Sequence, residues 1–277
     1  MKKIAKILVP VDFSNTAKQA YRFAQQIAIG VGAELHLLHV TYPQMENIDE
    51  PLAPSRSATE ARTALLEARM QEFSAVLIPD WEKTSPPSLH LHVEIGAIIP
   101  VIRKRSRLYD LIVMGTRGEH KRVENLLGTV AADVVIHASC PVIVVPQYAD
   151  RPEISRIAHA LDLRRVNEEM LMQWSGLLGS PEGLIHLVYF GGADDHSVPG
   201  ELQELQKSLQ LHLPGSHIQT HKLHKHELVG DLSLFCDQHH IDLLIMYRGR
   251  NSWKRKLFHR SLTRQMAGKT KVPLLIL

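Results

Sequence analysis

Cysteine is nearly absent: two residues, Cys140 and Cys236, in a chain of 277. That excludes a disulfide-built scaffold and points to a reducing compartment. Neither cysteine has a CxxC partner or a metal-ligand spacing. Aromatic residues make up 5% of the chain, and in the basic stretch 248–271 Trp253 and Phe258 alone are interleaved, which speaks against the stacking platform of a nucleic-acid binder. Long apolar runs are missing too. The longest uncharged stretch, residues 134–149, contains Pro141 and Pro146 and reads as helix, turn and strand, not as a membrane span. The start, MKKIAKILVPVDFS, is basic like a signal peptide, but its apolar run is short and Asp12 interrupts it. A cytoplasmic protein with no membrane partner is expected. Charge of one sign is also in short supply, at a net +3, so no nucleic-acid partner is expected on that ground. Catalytic signatures are missing as well: the chain has no nucleophile elbow, no HExxH and no GxxxxGK[ST] loop.

What the chain does have is one unit written twice. YDLIVMGTRG (109–118) matches IDLLIMYRGR (241–250), and CPVIVVP (140–146) matches VPLLIL (272–277). Asp110 pairs with Asp242 and Pro141 with Pro273 at a constant offset of 132. At the front, ILVPVD (7–12) matches IAHALD (157–162) at an offset of 150, Asp12 to Asp162. Each half alternates apolar strands with helices. In the first, strands are expected at KILVPV, ELHLLHVT, LHLHVEI, DLIVMG and PVIVVP, with helices near 15–31, 58–77, 97–106 and 129–138. Ser14 or Asn15 can cap the first helix, and Gly30 or Gly32 can end it. In the second, strands are expected near 154–161, 184–190, 217–223, 242–247 and 272–277, with helices near 167–178, 200–212, 227–239 and 254–267. The pattern predicts an α/β protein of two tandem, open, doubly wound, parallel five-stranded sheets with helices on both faces, Rossmann-like in kind. The division is placed at 1–148 and 149–277. The fifth strands, Val142–Val145 and Leu274–Leu277, are uniformly apolar and end their units. Such edges need cover, so the halves are expected to pair through them as an intramolecular pseudo-dimer. A homodimer is left open.

Open parallel sheets bind ligands beyond the carboxyl ends of their strands, where the strand order reverses. After the fourth strand stands GTRGEHKRVENLLGT (115–129), with Gly115, Gly118 and Gly128 before Thr129 at a helix start. Glycines permit close backbone approach, and a helix N-terminus favours a phosphate. Gly115-x2-Gly118-x9-Gly128-Thr129, between an apolar strand and a helix, resembles the phosphate signature of the ATP-binding branch of the universal stress protein family. ILVPVDFS and HASCPVIVVP resemble that family's first and last segments. The likeness covers residues 1–146 closely and 151–277 more weakly, so the chain resembles a tandem member. The resemblance implies ATP or a related adenine nucleotide, with or without Mg, in the first half. Pro10, Val11 and Asp12 would line adenine and ribose. Val40 would pack on adenine, and Met114 and Gly115 would meet the ribose side. Arg117, Gly118, Gly128, Thr129, Val130 and Ala131 would surround the phosphates. Lys121 and Arg122 would add positive charge, against Glu119 and Glu124. A stress-response or regulatory binding protein with slow ATP hydrolysis at most is implied. The competing reading is a non-catalytic interaction protein with a vestigial site.

The second half departs from the motif. Gly115 becomes Tyr247, Gly118 becomes Arg250 and Gly128 becomes Arg260, while Thr129 becomes Ser261. No nucleotide is expected there. Nine Lys or Arg fall between Arg248 and Lys271, with no acidic residue after Asp242. Lys256, Arg260 and Arg264 share a helix face and read first as a solvated basic face. Of 17 histidines, His90 and His92 share a strand face, and His221, His224 and His226 cluster near a strand end. No metal site is expected from these spacings; a charge response near pH 6 is.

Overall fold

The computed structural model describes residues 4–43, 56–75, 86–116, 128–147, 149, 154–163, 169, 172–178, 183–191, 200–224, 227–248 and 265–277. The first half runs β1 (Lys6–Pro10), α1 (Asn15–Val31), β2 (Glu34–Thr41), α2 (Arg56–Ser74), β3 (Leu89–Ile95), α3 (Ile98–Arg105), β4 (Leu111–Gly115), α4 (Thr129–His137) and β5 (Val142–Val145). The second runs β6 (Arg156–Leu161), α5 (Ser175–Leu178), β7 (Gly183–Gly191), α6 (Gly200–His212), β8 (Ser216–His224), α7 (Leu228–Gln238), β9 (Leu243–Met246) and β10 (Leu274–Ile276). Residues 265–269 are also helical. The expected helix at 254–267 falls mostly outside the described residues.

The strand order is β3-β2-β1-β4-β5-β10-β9-β6-β7-β8. Each half is a parallel five-stranded layer with the same internal order. The two layers do not stay separate sheets: β5 and β10 pair antiparallel, Ile143 opposite Leu275, and make one ten-stranded sheet. The apolar edges thus cover each other, leaving β3 and β8 as the outer strands. Arg248 adds polar bonds across this seam. Its guanidinium donates to the carbonyls of Ala138 and Cys140.

Side chains alternate across the sheet. Ile7 and Val9 face one core with Tyr21, Phe73, Trp174 and Leu209. Leu8 faces the other with Ile102, Val134, Val229 and Phe235. Because both faces are covered, the strands read as continuous apolar runs. Ser14 caps α1 by accepting from the Ala17 N–H at 3.1 Å. Gly32, at φ 70°, ends the helix by donating to the Ala28 carbonyl at 2.8 Å.

The repeated aspartates have a structural reason. Asp110 Oδ2 accepts from the Ala5 and Lys6 N–H groups at 3.0 and 3.1 Å. Asp242 Oδ2 accepts from the Ser155 and Arg156 N–H groups at 3.1 and 2.8 Å, and from the Ser155 hydroxyl at 3.0 Å. Each carboxylate ties down the start of its half's central strand by accepting from backbone N–H groups there.

Candidate functional site

In the first half the strand order reverses between β1 and β4, which lie side by side. Pro10 ends β1, and Val11 and Asp12 follow it. Val40 lies one residue before the end of β2, and Met114 and Gly115 close β4. Gly128 is the N-cap of α4, and Thr129, Val130 and Ala131 form its first turn. The parallel strands put the first three groups on one carboxyl edge of the sheet.

The turn after β1 is tightly specified. Asp12 Oδ1 accepts from the Ser14 N–H at 3.1 Å and from its hydroxyl at 2.6 Å. Ser14 Oγ in turn lies 2.9 Å from Thr16 Oγ1. Between them Phe13 sits at φ 67°, a left-handed conformation that costs a non-glycine residue about 1–2 kcal/mol. Packing holds it there. The Phe13 ring lies 4.6 Å from His39 and 5.8 Å from Phe73, with the Arg69 guanidinium 4.1 Å above it. His39 Nδ1 donates to the Val11 carbonyl at 2.8 Å, and burial pushes its pKa down. Arg62 donates to Thr41 Oγ1 at 2.6 Å. Phe13, His39, Arg62 and Arg69 therefore frame the β1 and β2 ends. Sequence reasoning missed all four, since no local spacing links them.

At the β4 end, the Thr116 N–H donates to the Val145 carbonyl at 3.1 Å, and the Thr116 carbonyl accepts from the Gly128 N–H at 2.8 Å. This second bond brings the start of α4 back to the end of β4. Gly128 is buried with φ −58°, so it needs no left-handed freedom. Thr129 is exposed and Val130 half-buried. The first-turn N–H groups of α4 lack intrahelical acceptors by geometry. Gly115 has a different reason for being glycine than ligand approach. A Cβ there would lie 2.9 Å from the Thr16 carbonyl carbon and 2.9 Å from its Cβ, so the residue lets α1 close onto β4. Val40, Met114 and Ala131 are buried together in the core that contains Leu8 and Leu38, whereas Val11 packs in the opposite core. Pro10 and Asp12 are half-buried. Arg117 and Gly118 lie outside the described residues, as do Lys121 and Arg122.

The second half fills the corresponding place. Tyr247, at the position of Gly115, lies 5.2 Å from His159, which stands at the position of Val9. His159 meets Trp174 edge-on at 6.5 Å. Burial drives the Tyr247 pKa up and the His159 pKa down to about 3. Arg250, Arg260 and Ser261 lie outside the described residues, with Lys256 and Arg264.

A duplicated parallel α/β sheet whose strand order reverses within each half defines the doubly wound class of α/β proteins. Comparison with known proteins makes this specific: the chain belongs to the universal stress protein family, which matches residues 3–146. It is 26% identical over 142 residues to a universal stress protein of Mycobacterium tuberculosis; the match takes in 50% of this chain and 46% of that one. It therefore spans about half the length of that relative. It is 30% identical over 146 residues to a universal stress protein of Methanocaldococcus jannaschii, covering 50% of this chain and 81% of the relative. The crystal structure of a universal stress protein from Archaeoglobus fulgidus superposes with a TM-score of 0.71 at 18% identity, covering 98% of this chain and 97% of that one. That likeness extends the shared fold over both halves. Among the described residues no helix is long and apolar enough to cross a membrane.

Proposed function

We propose that this chain is a cytoplasmic stress-response protein whose first unit, residues 1–148, binds ATP or a related adenine nucleotide and turns it over slowly at most. The second unit, residues 149–277, serves as a non-binding twin. The observation that carries this reading is the Thr116–Gly128 hydrogen bond. It sets the N-terminus of α4 beside the end of β4, next to the strand whose end carries Asp12. A nucleotide laid across this edge would meet a carboxylate for its ribose hydroxyls at Asp12. The exposed Thr129 hydroxyl and the first-turn N–H groups of α4 would meet its phosphates. Val40 and Met114 lie at the same edge as apolar neighbours for the base. With Mg present, the ion would screen the phosphates against one another, and the protein's own part would be limited to holding and orienting. Asp12 is the one carboxylate in this set and is engaged by Ser14, which supports binding over phosphoryl transfer.

The test is thermal unfolding with and without nucleotide. At 100 times its dissociation constant, a ligand stabilises the fold by about 2.7 kcal/mol. ATP should raise the melting temperature, and Asp12→Ala should shrink that rise, measured in each case against the same variant without nucleotide because Asp12 also holds the turn after β1. Mass spectrometry of ligand released from freshly purified protein gives a second readout. A melting temperature indifferent to adenine nucleotides would favour an interaction protein with a vestigial site.

A further inference from the structure

The opposite end of the sheet carries a cluster that the nucleotide reading does not use. At the amino ends of β2 and β3, Glu34, His36, His90 and His92 share one face, with His36 directly opposite His90. One ligand atom from each of Glu34, His36 and His90 lies within 4.8 Å of the others. Glu34 Oε2 is 3.4 Å from His36 Nε2 and 3.9 Å from His90 Nε2. The two rings stack at 4.5 Å between centroids. The other nitrogen of His36 is engaged: Nδ1 lies 3.0 Å from His92 Nε2. Tyr109 closes the side of the His36 ring, edge-on at 5.0 Å.

We propose that Glu34, His36 and His90 form a site for a divalent zinc-type cation, with His92 as the residue that orients His36. The dimensions fit. Zinc with bonds of about 2.0–2.1 Å sets neighbouring ligand atoms about 3.3–3.4 Å apart in a tetrahedron. The Glu34–His36 separation already has that value, and the Glu34–His90 separation exceeds it by about half an ångström. His90 is the ligand that must move, and its side chain is 48% exposed. Proton counting is compatible with the site. Neutral His36 carries one ring proton. With that proton given to His92, the Nε2 lone pair is free to ligate a cation; in the other tautomer His92 donates to Nδ1 and Nε2 donates to Glu34, so binding the ion selects the first tautomer. A partner on the far ring nitrogen of a ligating histidine is the usual arrangement around zinc. Water would complete the coordination on the open side. Lys6 Nζ, 3.9 Å from Glu34 Oε2, opposes the site, but its side chain is half exposed and can turn to solvent. Imidazole donors favour zinc over magnesium or calcium.

The second half supplies an internal control. His186 stands at the position of His36 and keeps the same bond, Nδ1 to His221 Nε2 at 2.8 Å. But Leu184 replaces Glu34, and the residue opposite His186 is Gln219 in place of His90. The third histidine nearby, His239, stacks on Phe235 at 4.2 Å. Among the described residues three donors converge only in the first half.

The experiment uses tag-free, chelator-washed full-length protein titrated calorimetrically with zinc, and with cobalt as a visible-absorption probe of tetrahedral geometry. The expected result is one zinc per chain, unaffected by excess magnesium. His90→Ala and Glu34→Gln should each weaken binding about tenfold or more, with unchanged circular dichroism. Absence of saturable binding overturns the proposal. So does zinc bound equally well by both variants, which would place the ion elsewhere.

Discussion

His159 offers the most demanding test of the packing described above. It lies in β6 with no exposed surface. Among the described residues neither of its ring nitrogens has a hydrogen-bond partner, and the Trp174 Nε1 beside it has none either. Burial holds its pKa near 3, against about 6.5 in an unfolded chain. Below pH 6.5 the unfolded chain therefore takes up a proton that the folded protein refuses. The stability associated with this group is complete above pH 6.5 and declines as pH falls toward 3. The slope is about 1.4 kcal/mol per pH unit, so about 2 kcal/mol is lost between pH 6.5 and pH 5. His36, His39, His92, His186 and His221 shift in the same direction, so only the difference between variant and wild type isolates His159. Replacing it with leucine removes both the refused proton and two unsatisfied polar atoms. An unpaired buried polar group costs about 1–3 kcal/mol, and a near-isosteric change of shape costs under about 1.5 kcal/mol. His159→Leu should therefore be at least as stable as wild type at pH 7.5, and its advantage should widen by about 1.4 kcal/mol per unit toward pH 5. Urea unfolding followed by circular dichroism at pH 5.0, 6.0, 7.0 and 7.5 measures this. An advantage that stays constant with pH, or a variant less stable at pH 7.5, would refute the reasoning.

Gly115→Ala should cost about 1–3 kcal/mol by overpacking α1 against β4, because its Cβ would meet the Thr16 backbone at 2.9 Å; the loss should appear in the melting temperature without any nucleotide present. Asp242→Ala removes the acceptor of three hydrogen bonds at the start of β6, and bonds to a charged group are worth about 1.5–3 kcal/mol each. Asp242→Asn should recover part of that loss, since one amide oxygen still accepts; equal losses in chemical denaturation would argue against the tether. Leu275→Ala empties a fully buried place in β10 opposite Ile143 and should cost about 2–5 kcal/mol. If the seam is part of one core, the whole chain should still unfold in a single transition. A variant whose second half melts alone would show the seam to be a loose tether.

Much of this architecture could be read before the structure. Strands buried on both faces show as unbroken apolar runs, as in Leu111–Gly115 and Val142–Val145. Two such runs closing equivalent units pointed to the β5–β10 pairing. Helix α1 announced both its ends, through Ser14 and Gly32. The site was legible only as positions along an edge. Asp12, Gly115 and Gly128 stand out in the sequence, but the reason for Gly115 lies in a contact with Thr16, 99 positions away. The Phe13–His39–Arg69 stack and the His36–His92 bond likewise join residues whose nearness is created by strand order, and no periodicity encodes them. Arg248 stood in the sequence as the first member of a basic run. Its bonds to Ala138 and Cys140 exist because the seam places the first half's α4 end beside it.

The duplication kept one set of residues and changed another. Kept are the parts that hold the sheet together. Asp110 and Asp242 tether the starts of β1 and β6. The Pro141 and Pro273 carbonyls accept from the Ile112 and Leu244 N–H groups at 3.0 and 2.9 Å. The Val145 and Leu277 carbonyls accept from Thr116 and Arg248 at 3.1 and 2.8 Å. Changed are residues at both ends of the strands: Gly115 has become Tyr247 at the carboxyl end and Glu34 has become Leu184 at the amino end, while Asp12 persists as Asp162. The large side chain at the first of these packs on His159, which in turn meets Trp174 edge-on. The two sets answer to different physical demands. β5 has four buried apolar residues, and an unpaired strand of that kind would recruit another chain. The second unit must therefore retain a well-formed β10, and everything that positions β10, to keep the first unit's edge covered. It carries no such obligation at the strand ends away from the seam, where Tyr247 and Leu184 stand in place of Gly115 and Glu34.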